Sequence, residues 1–269
     1  MKAFSPFLFA TLLFPLTAFS QDEATVESEE TSTETAPVVV DEVAEQSARR
    51  FQEEFSNLPE EQRKAYVEHL TQAGNYFRQK RIFECMDEIH KAQQIIEDGP
   101  NAINMLGACY VEFRYFDKAR EAFKKSLSLA PKNPSVLFNL AEIEFVTKNW
   151  GKCIERMDEV LAVLPEGASQ MRELVIYKKL LCHIKLGNLE KAQELSSTYT
   201  DADDSPFAYY AKAALLFNSD DSLAADRELA KARRIYTLNP QLIAPWDDTL
   251  IEFGYLQSFF GSLDEELAQ

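Results

Sequence analysis

The chain has 269 residues, of which 46% are hydrophobic, and 44 acidic against 28 basic side chains give a formal net charge of −16. So acidic a protein is repelled by nucleic acid and by anionic lipid surfaces, which removes both from the expected partners. Length alone suggests one or two compact domains, unless the sequence repeats.

Read from its start, the chain carries Lys2 and then an apolar run from Phe4 to Phe19, interrupted only by Ser5, Pro6, Thr11, Pro15 and Thr17. The run is shorter than the roughly 20 apolar residues of a membrane span, and Ala18 and Ser20 supply small residues ahead of a cleavage point. Residues 1–20 are therefore expected to be a signal peptide cleaved after Ser20. A retained anchor is the rival reading, and the two prolines argue against it. The first cysteine is Cys85, too distant for a lipid-anchored amino terminus. A soluble protein in a periplasmic or extracellular space is the expectation. Between Gln21 and Glu45 acids such as Asp22, Glu27 and Glu34 occur with no base, and large apolar groups are nearly absent up to residue 36. Such a segment cannot bury enough surface to offset its ordering entropy, so 21–40 reads as an acidic disordered linker.

Residues 41–65 read as an N-terminal helical cap. Its helix, 41–56, has Val43, Ala48, Phe51 and Phe55 on or near one face, and Leu58-Pro59 ends it. Beyond it the sequence repeats with a period of 34 residues, in units starting at Tyr66, Pro100 and Pro134. The eighth residues are Ala73, Gly107 and Ala141, and the twentieth are Cys85, Ala119 and Cys153. All are small. At the twenty-fourth place stand Ile89, Phe123 and Met157, all large and apolar, and the twenty-seventh residues are Ala92, Ser126 and Val160. Apolar residues recur at three and four within each unit, which is helical spacing. Small residues at fixed places allow two antiparallel helices to pack closely. A fourth unit follows a short insertion, with Ile176, Leu180, Ala192 and the turn Leu186-Gly187-Asn188. A fifth begins near Pro206 and carries Ala213, Ala225 and Ala232. Asn133 before Pro134 and Ser205 before Pro206 pair a helix cap with a first-turn proline, while Asp117 and Asn188 mark the starts of second helices. After 66–239, residues 240–269 read as a C-terminal capping helix and tail, with an apolar helix from Trp246 to Phe260.

The segment Asn101 to Pro134, with Leu106-Gly107, Tyr110, Ala119, Phe123 and Pro131, closely resembles the tetratricopeptide repeat. The resemblance runs from about Tyr66 to Asn239. Gln72, where the family usually has Leu, and Glu144, where it usually has Tyr, depart from the pattern. The resemblance implies an all-α, right-handed α-solenoid of about five helix-turn-helix repeats with flanking cap helices. It also implies protein binding rather than catalysis.

Family geometry assigns the concave face to Leu70, Phe77, Arg78, Asn104, Val111, Phe138, Phe145, Tyr177, Ile184, Lys185, Phe207, Tyr210 and Phe217. Basic clamp residues are scattered there and aromatics prevail, which suits an apolar or amphipathic peptide segment of a protein partner. The alternative is a structural subunit of an envelope or secreted complex, with the groove filled by the chain's own C-terminal helix. In the same architecture Cys85 falls beside Cys109 and Cys153 beside Cys182, which makes two candidate disulfides. Four reduced cysteines used as small buried hydrophobes are the competing reading. No enzyme, cofactor or metal is expected. His69, His90 and His183 lack a second ligand at helical spacing, and Asp201, Asp203 and Asp204 lack the glycine and distal acid of a calcium loop.

Overall fold

A computed structural model describes residues 39–257, with side chains from residue 46 onward. The expected signal peptide, the linker apart from its last two residues, and the tail beyond residue 257 lie outside the described residues. The described chain is entirely helical apart from turns and loops: α1 Val39–Asn57, α2 Glu60–Arg78, α3 Ile82–Ile95, α4 Pro100–Glu112, α5 Phe116–Leu129, α6 Pro134–Val146, α7 Trp150–Val163, α8 Ser169–Lys185, α9 Leu189–Ser196, α10 Phe207–Asn218, α11 Ser222–Ile235 and α12 Ala244–Phe253. A short 3-10 turn, Pro240–Leu242, precedes α12. This is an all-α repeat solenoid. It falls into two compact units divided after Ser135.

In the N-terminal unit α2 packs on α3 and α4 on α5, while α3 also meets α4 and α1 lies against α5. The small residues at repeating places explain why the pairs close. Ala73, Cys85, Ala92, Ala102 and Cys109 are buried in one cluster with Tyr66, Leu70, Ile89 and Ile96. A Cβ on Gly107 would stand 2.5 Å from Cε1 of the buried Phe123 ring. Gly107→Val is expected to destabilise the protein by about 2 kcal/mol through overpacking, read as a lower urea midpoint. An unchanged midpoint would mean that the ring yields.

The turn inside each repeat has one backbone solution. Lys80, Arg114 and Lys148, spaced at the repeat period, all have positive φ of 58° to 62°, as do Asp220 at 61° and Gly187 at 75°. Each ends its first helix in the same way: Lys80 N–H donates to Phe77 O at 2.9 Å and Arg81 N–H to Tyr76 O at 2.9 Å, and Arg114 and Tyr115 repeat the pattern on Val111 and Tyr110. The left-handed residue turns two otherwise unpaired carbonyls into acceptors, and glycine adopts it at least cost. Four of these five places carry a side chain, so the turn is held by the packing of the helices it joins.

The departures from the family pattern have local causes. Glu144 is buried and accepts a 3.1 Å hydrogen bond from Asn149 Nδ2, with Lys152 Nζ 3.7 Å from its other oxygen. Its carboxylate therefore clamps the turn between α6 and α7. Gln72 is exposed, so the first repeat lacks an apolar side chain there. Ser126 replaces the usual small apolar residue and donates to Pro100 O at 2.8 Å. Asn133 Oδ1 accepts from Ser135 N–H, and Ser205 Oγ accepts from Phe207 N–H, as the cap positions require.

The expected helix from Trp246 to Phe260 is shorter and starts earlier. Gly254, at φ 91°, ends α12, and Tyr255 N–H returns to Leu250 O at 2.9 Å. The insertion before the fourth repeat is absorbed by the longer α8.

Candidate binding groove

In the C-terminal unit the first helices α8 and α10 pack side by side, and α12 lies on α8. Their aromatic residues meet α12 directly. The Trp246 indole sits 5.1 Å from the Tyr177 ring, 5.6 Å from Tyr210 and 6.2 Å from Phe207, measured between centroids. Further along α12, Phe253 stacks on Phe145 at 6.1 Å and meets Trp150 edge-on at 5.7 Å. Tyr255 stacks on Phe217 at 5.2 Å.

Polar contacts fix the register of this seat. Asp247 Oδ1 accepts from Tyr210 OH at 2.9 Å and from Arg233 Nη2 at 3.1 Å. The Lys185 ammonium lies 4.4 Å from the centroid of the Phe253 ring and 5.5 Å from that of Tyr255, a cation held over aromatic faces. Burial drives the phenol pKa of Tyr177 and Tyr210 well above its ordinary value, so both stay neutral at any pH the fold meets.

These contacts correct the expectation of an open aromatic groove. Phe138, Phe145, Tyr177, Ile184, Phe207 and Tyr210 are buried, and Phe217 is half-buried. For Phe145, Tyr177, Phe207, Tyr210 and Phe217 the covering aromatic contact comes from α12 or the turn after it. In the N-terminal unit Leu70 and Phe77 belong to the helix-packing cluster, and Val111 and Asn104 are also buried. Their places in the repeat face neighbouring helices rather than solvent. Arg78 and Lys185 stay exposed, with Arg78 Nη2 donating to Asn75 Oδ1 at 2.5 Å.

Sequence reasoning offered the C-terminal helix as one occupant of the groove, but not the contacts that seat it: Trp246, Asp247 and Phe253 from α12, and Trp150 beside them. Their signal was the apolar character of the terminal segment. It also missed a buried ion pair. Lys178 Nζ stands 3.0 Å from Glu142 Oε1, with both side chains almost wholly enclosed, and 4.4 Å from the Phe145 ring centroid. Burial raises the Glu142 carboxyl above its usual range, while the Lys178 ammonium opposes the shift.

The histidines are spread apart. His69 Nδ1 is 2.7 Å from Glu88 Oε2, and His90 is exposed. His183 Nδ1 is buried without a hydrogen-bond partner, and burial, then the charges of Lys179 and Lys191, lower its pKa. A protonated imidazole there would leave an N–H unsatisfied. The Asp203 carboxylate accepts from Thr200 N–H and Oγ1 at 2.7 and 2.9 Å, which holds it below the usual carboxylate range, and Asp201 pairs with Lys212. The loop is thus a hydrogen-bonded turn. Among the described residues no group of three His, Cys, Asp or Glu side chains is arranged to hold a metal, and no helix is long and apolar enough to cross a membrane.

The geometry defines a helix-turn-helix repeat scaffold with one helix laid along its aromatic face. Residues 100–133 match the family model of the tetratricopeptide repeat. Over 179 residues, 65% of this chain, the sequence is 24% identical to the Protein CTR9 homolog of Arabidopsis thaliana. The chain spans only 16% of that relative's length. Among solved structures it is similar to Pseudomonas aeruginosa pilF, with a TM-score of 0.54 and 16% identity over 78% of this chain and 100% of the other. A tetratricopeptide repeat protein from Parabacteroides merdae aligns with a TM-score of 0.49 and 16% identity over 76% of this chain and 79% of that one. At such identity the likeness to pilF is one of fold. Residues 100–133 thus carry a tetratricopeptide repeat, within a described fold that is a helix-turn-helix repeat solenoid. Scaffolds of this kind generally mediate protein-protein interaction and are not enzymes.

Proposed function

We propose that the chain is an exported, non-enzymatic scaffold that joins protein partners in an envelope or secreted assembly, with its own C-terminal helix as the standing occupant of its aromatic groove. The observation that carries this reading is the seat of Trp246 against Tyr177, Phe207 and Tyr210. While α12 stays docked, that surface is closed to a partner's apolar segment, so partners engage the outer surfaces of the repeats. Export is supported by residues 1–20, and the net charge of −16 turns nucleic acid and anionic lipid away.

Photo-crosslinking in the source organism tests it. A photoreactive residue replaces Phe217, beside the C-terminal helix, or Phe83, which is 72% exposed. From position 217 the expected adducts are to the chain's own residues 244–257. Adducts to another protein from that position would instead make the groove the partner site. Failure to recover any foreign protein from position 83 or from other exposed positions would sink the scaffold reading, and recovery of the chain from the cytoplasm with its leader intact would sink export.

A further inference from the structure

Each structural unit buries one pair of cysteines in equivalent places. Cys85 on α3 and Cys109 on α4 have their sulfurs 3.4 Å apart, and neither side chain reaches solvent. Cys153 on α7 and Cys182 on α8 are likewise fully buried, on helices that pack together, and lie near enough for each sulfur to act on the other. All four are free. Both pairs span the boundary between one repeat and the next, joining a second helix to the following first helix. Cysteines used only as small hydrophobes have no reason to be buried neighbours twice at the same repeat boundary.

We infer that the two pairs are sites of disulfide formation, Cys85 with Cys109 and Cys153 with Cys182, closed while the chain folds and sealed afterwards. The chemistry is thiol-disulfide exchange with a small disulfide such as oxidised glutathione. One protein thiolate attacks the reagent to give a mixed disulfide and releases one glutathione thiol. The partner thiolate then displaces the second. Each pair loses two protons and two electrons, and the reagent is reduced to two thiols. The contact distance lies about 1.4 Å beyond a bond of about 2.05 Å, so closure needs only a small approach of α3 to α4.

Sealing follows from the same burial. In the folded chain each pair lies inside an apolar core, where the neighbouring sulfur and burial raise the pKa of Cys109 and of Cys153. Thiolate is the attacking species, so exchange is suppressed, and no reagent can reach a fully enclosed sulfur. The redox state is therefore fixed at folding. In the cell the inference rests on the export reading, which supplies a disulfide oxidant. In a test tube it does not.

The experiment uses the full chain without its leader. Reduced, denatured protein refolded in a glutathione redox buffer is expected to lose all four thiols, with non-reducing peptide mapping linking 85 to 109 and 153 to 182. Native reduced protein left in the same buffer keeps its thiols for many times the refolding period. The oxidised form shows a higher urea midpoint, which reductant added during refolding abolishes. A Cys85→Ala, Cys109→Ala variant still forms the second link, which guards against misreading a folding failure. Four free thiols after refolding with native helicity, or links between the two pairs, would overturn the sites. Equally fast oxidation of the native protein would overturn the sealing. A chain found unexported, with four free thiols in the cell yet oxidised on refolding, would refute export alone.

Discussion

Lys178→Met is expected to cost about 3–5 kcal/mol of stability at neutral pH, because it leaves the Glu142 carboxylate buried without its counter-charge. The two charges are 3.0 Å apart, and their side chains are 5% and 10% exposed, so solvent cannot take the place of the ammonium. The loss depends on pH in a definite direction. Burial already raises the folded-state pKa of Glu142, and removing Lys178 raises it further. A carboxyl whose folded pKa lies above its unfolded value costs nothing when protonated in both states. The penalty accumulates as pH rises above the unfolded value of about 4.3. The deficit against wild type should therefore shrink between pH 7 and pH 5 in urea titrations. Adding Glu142→Gln should recover most of it. A pH-independent deficit, or one under 1 kcal/mol, would show that the pair is not the source.

Trp246→Ala is expected to cost a similar amount, about 3–5 kcal/mol, since it empties an aromatic site enclosed by three rings. The effect should be local. Hydrogen exchange should show the amides of α12 losing protection while those of α2 to α5 keep theirs, and a dye for apolar surface should bind where it does not bind the parent. Uniform loss of protection across the whole chain would contradict a helix that docks as a separate element.

What the sequence made legible and what it hid divide along a physical line. The repeats were readable because each small residue answers a large one at a fixed distance, as Gly107 answers Phe123, and that relation is local to one helix pair. The approach of Cys85 to Cys109 followed from the same register. The seat of α12 was readable only as one of two alternatives. An aromatic at position 177 or 210 looks the same whether its partner is foreign or belongs to the chain, and the apolar stripe of α12 announces burial without saying against what. The Lys178-Glu142 pair was hidden because two charged residues 36 positions apart carry no periodic signal. Lys80, Arg114 and Lys148 in left-handed turns were hidden for another reason: only Gly187 stood where the turn favours glycine, and packing overrides that preference elsewhere.

The covalent connection between α11 and α12 has a consequence for any rival segment. Residues 236–243 bridge the two helices, so the docked helix is a ligand that never diffuses away. A short tether of this kind sets an effective concentration on the order of 1 mM. The resident helix therefore makes a competing peptide appear weaker than on a truncated chain, by the ratio of that effective concentration to the helix's own dissociation constant. Entry into the groove is thereby governed by local abundance, and only a segment concentrated beside the scaffold by other attachments can compete with the resident helix.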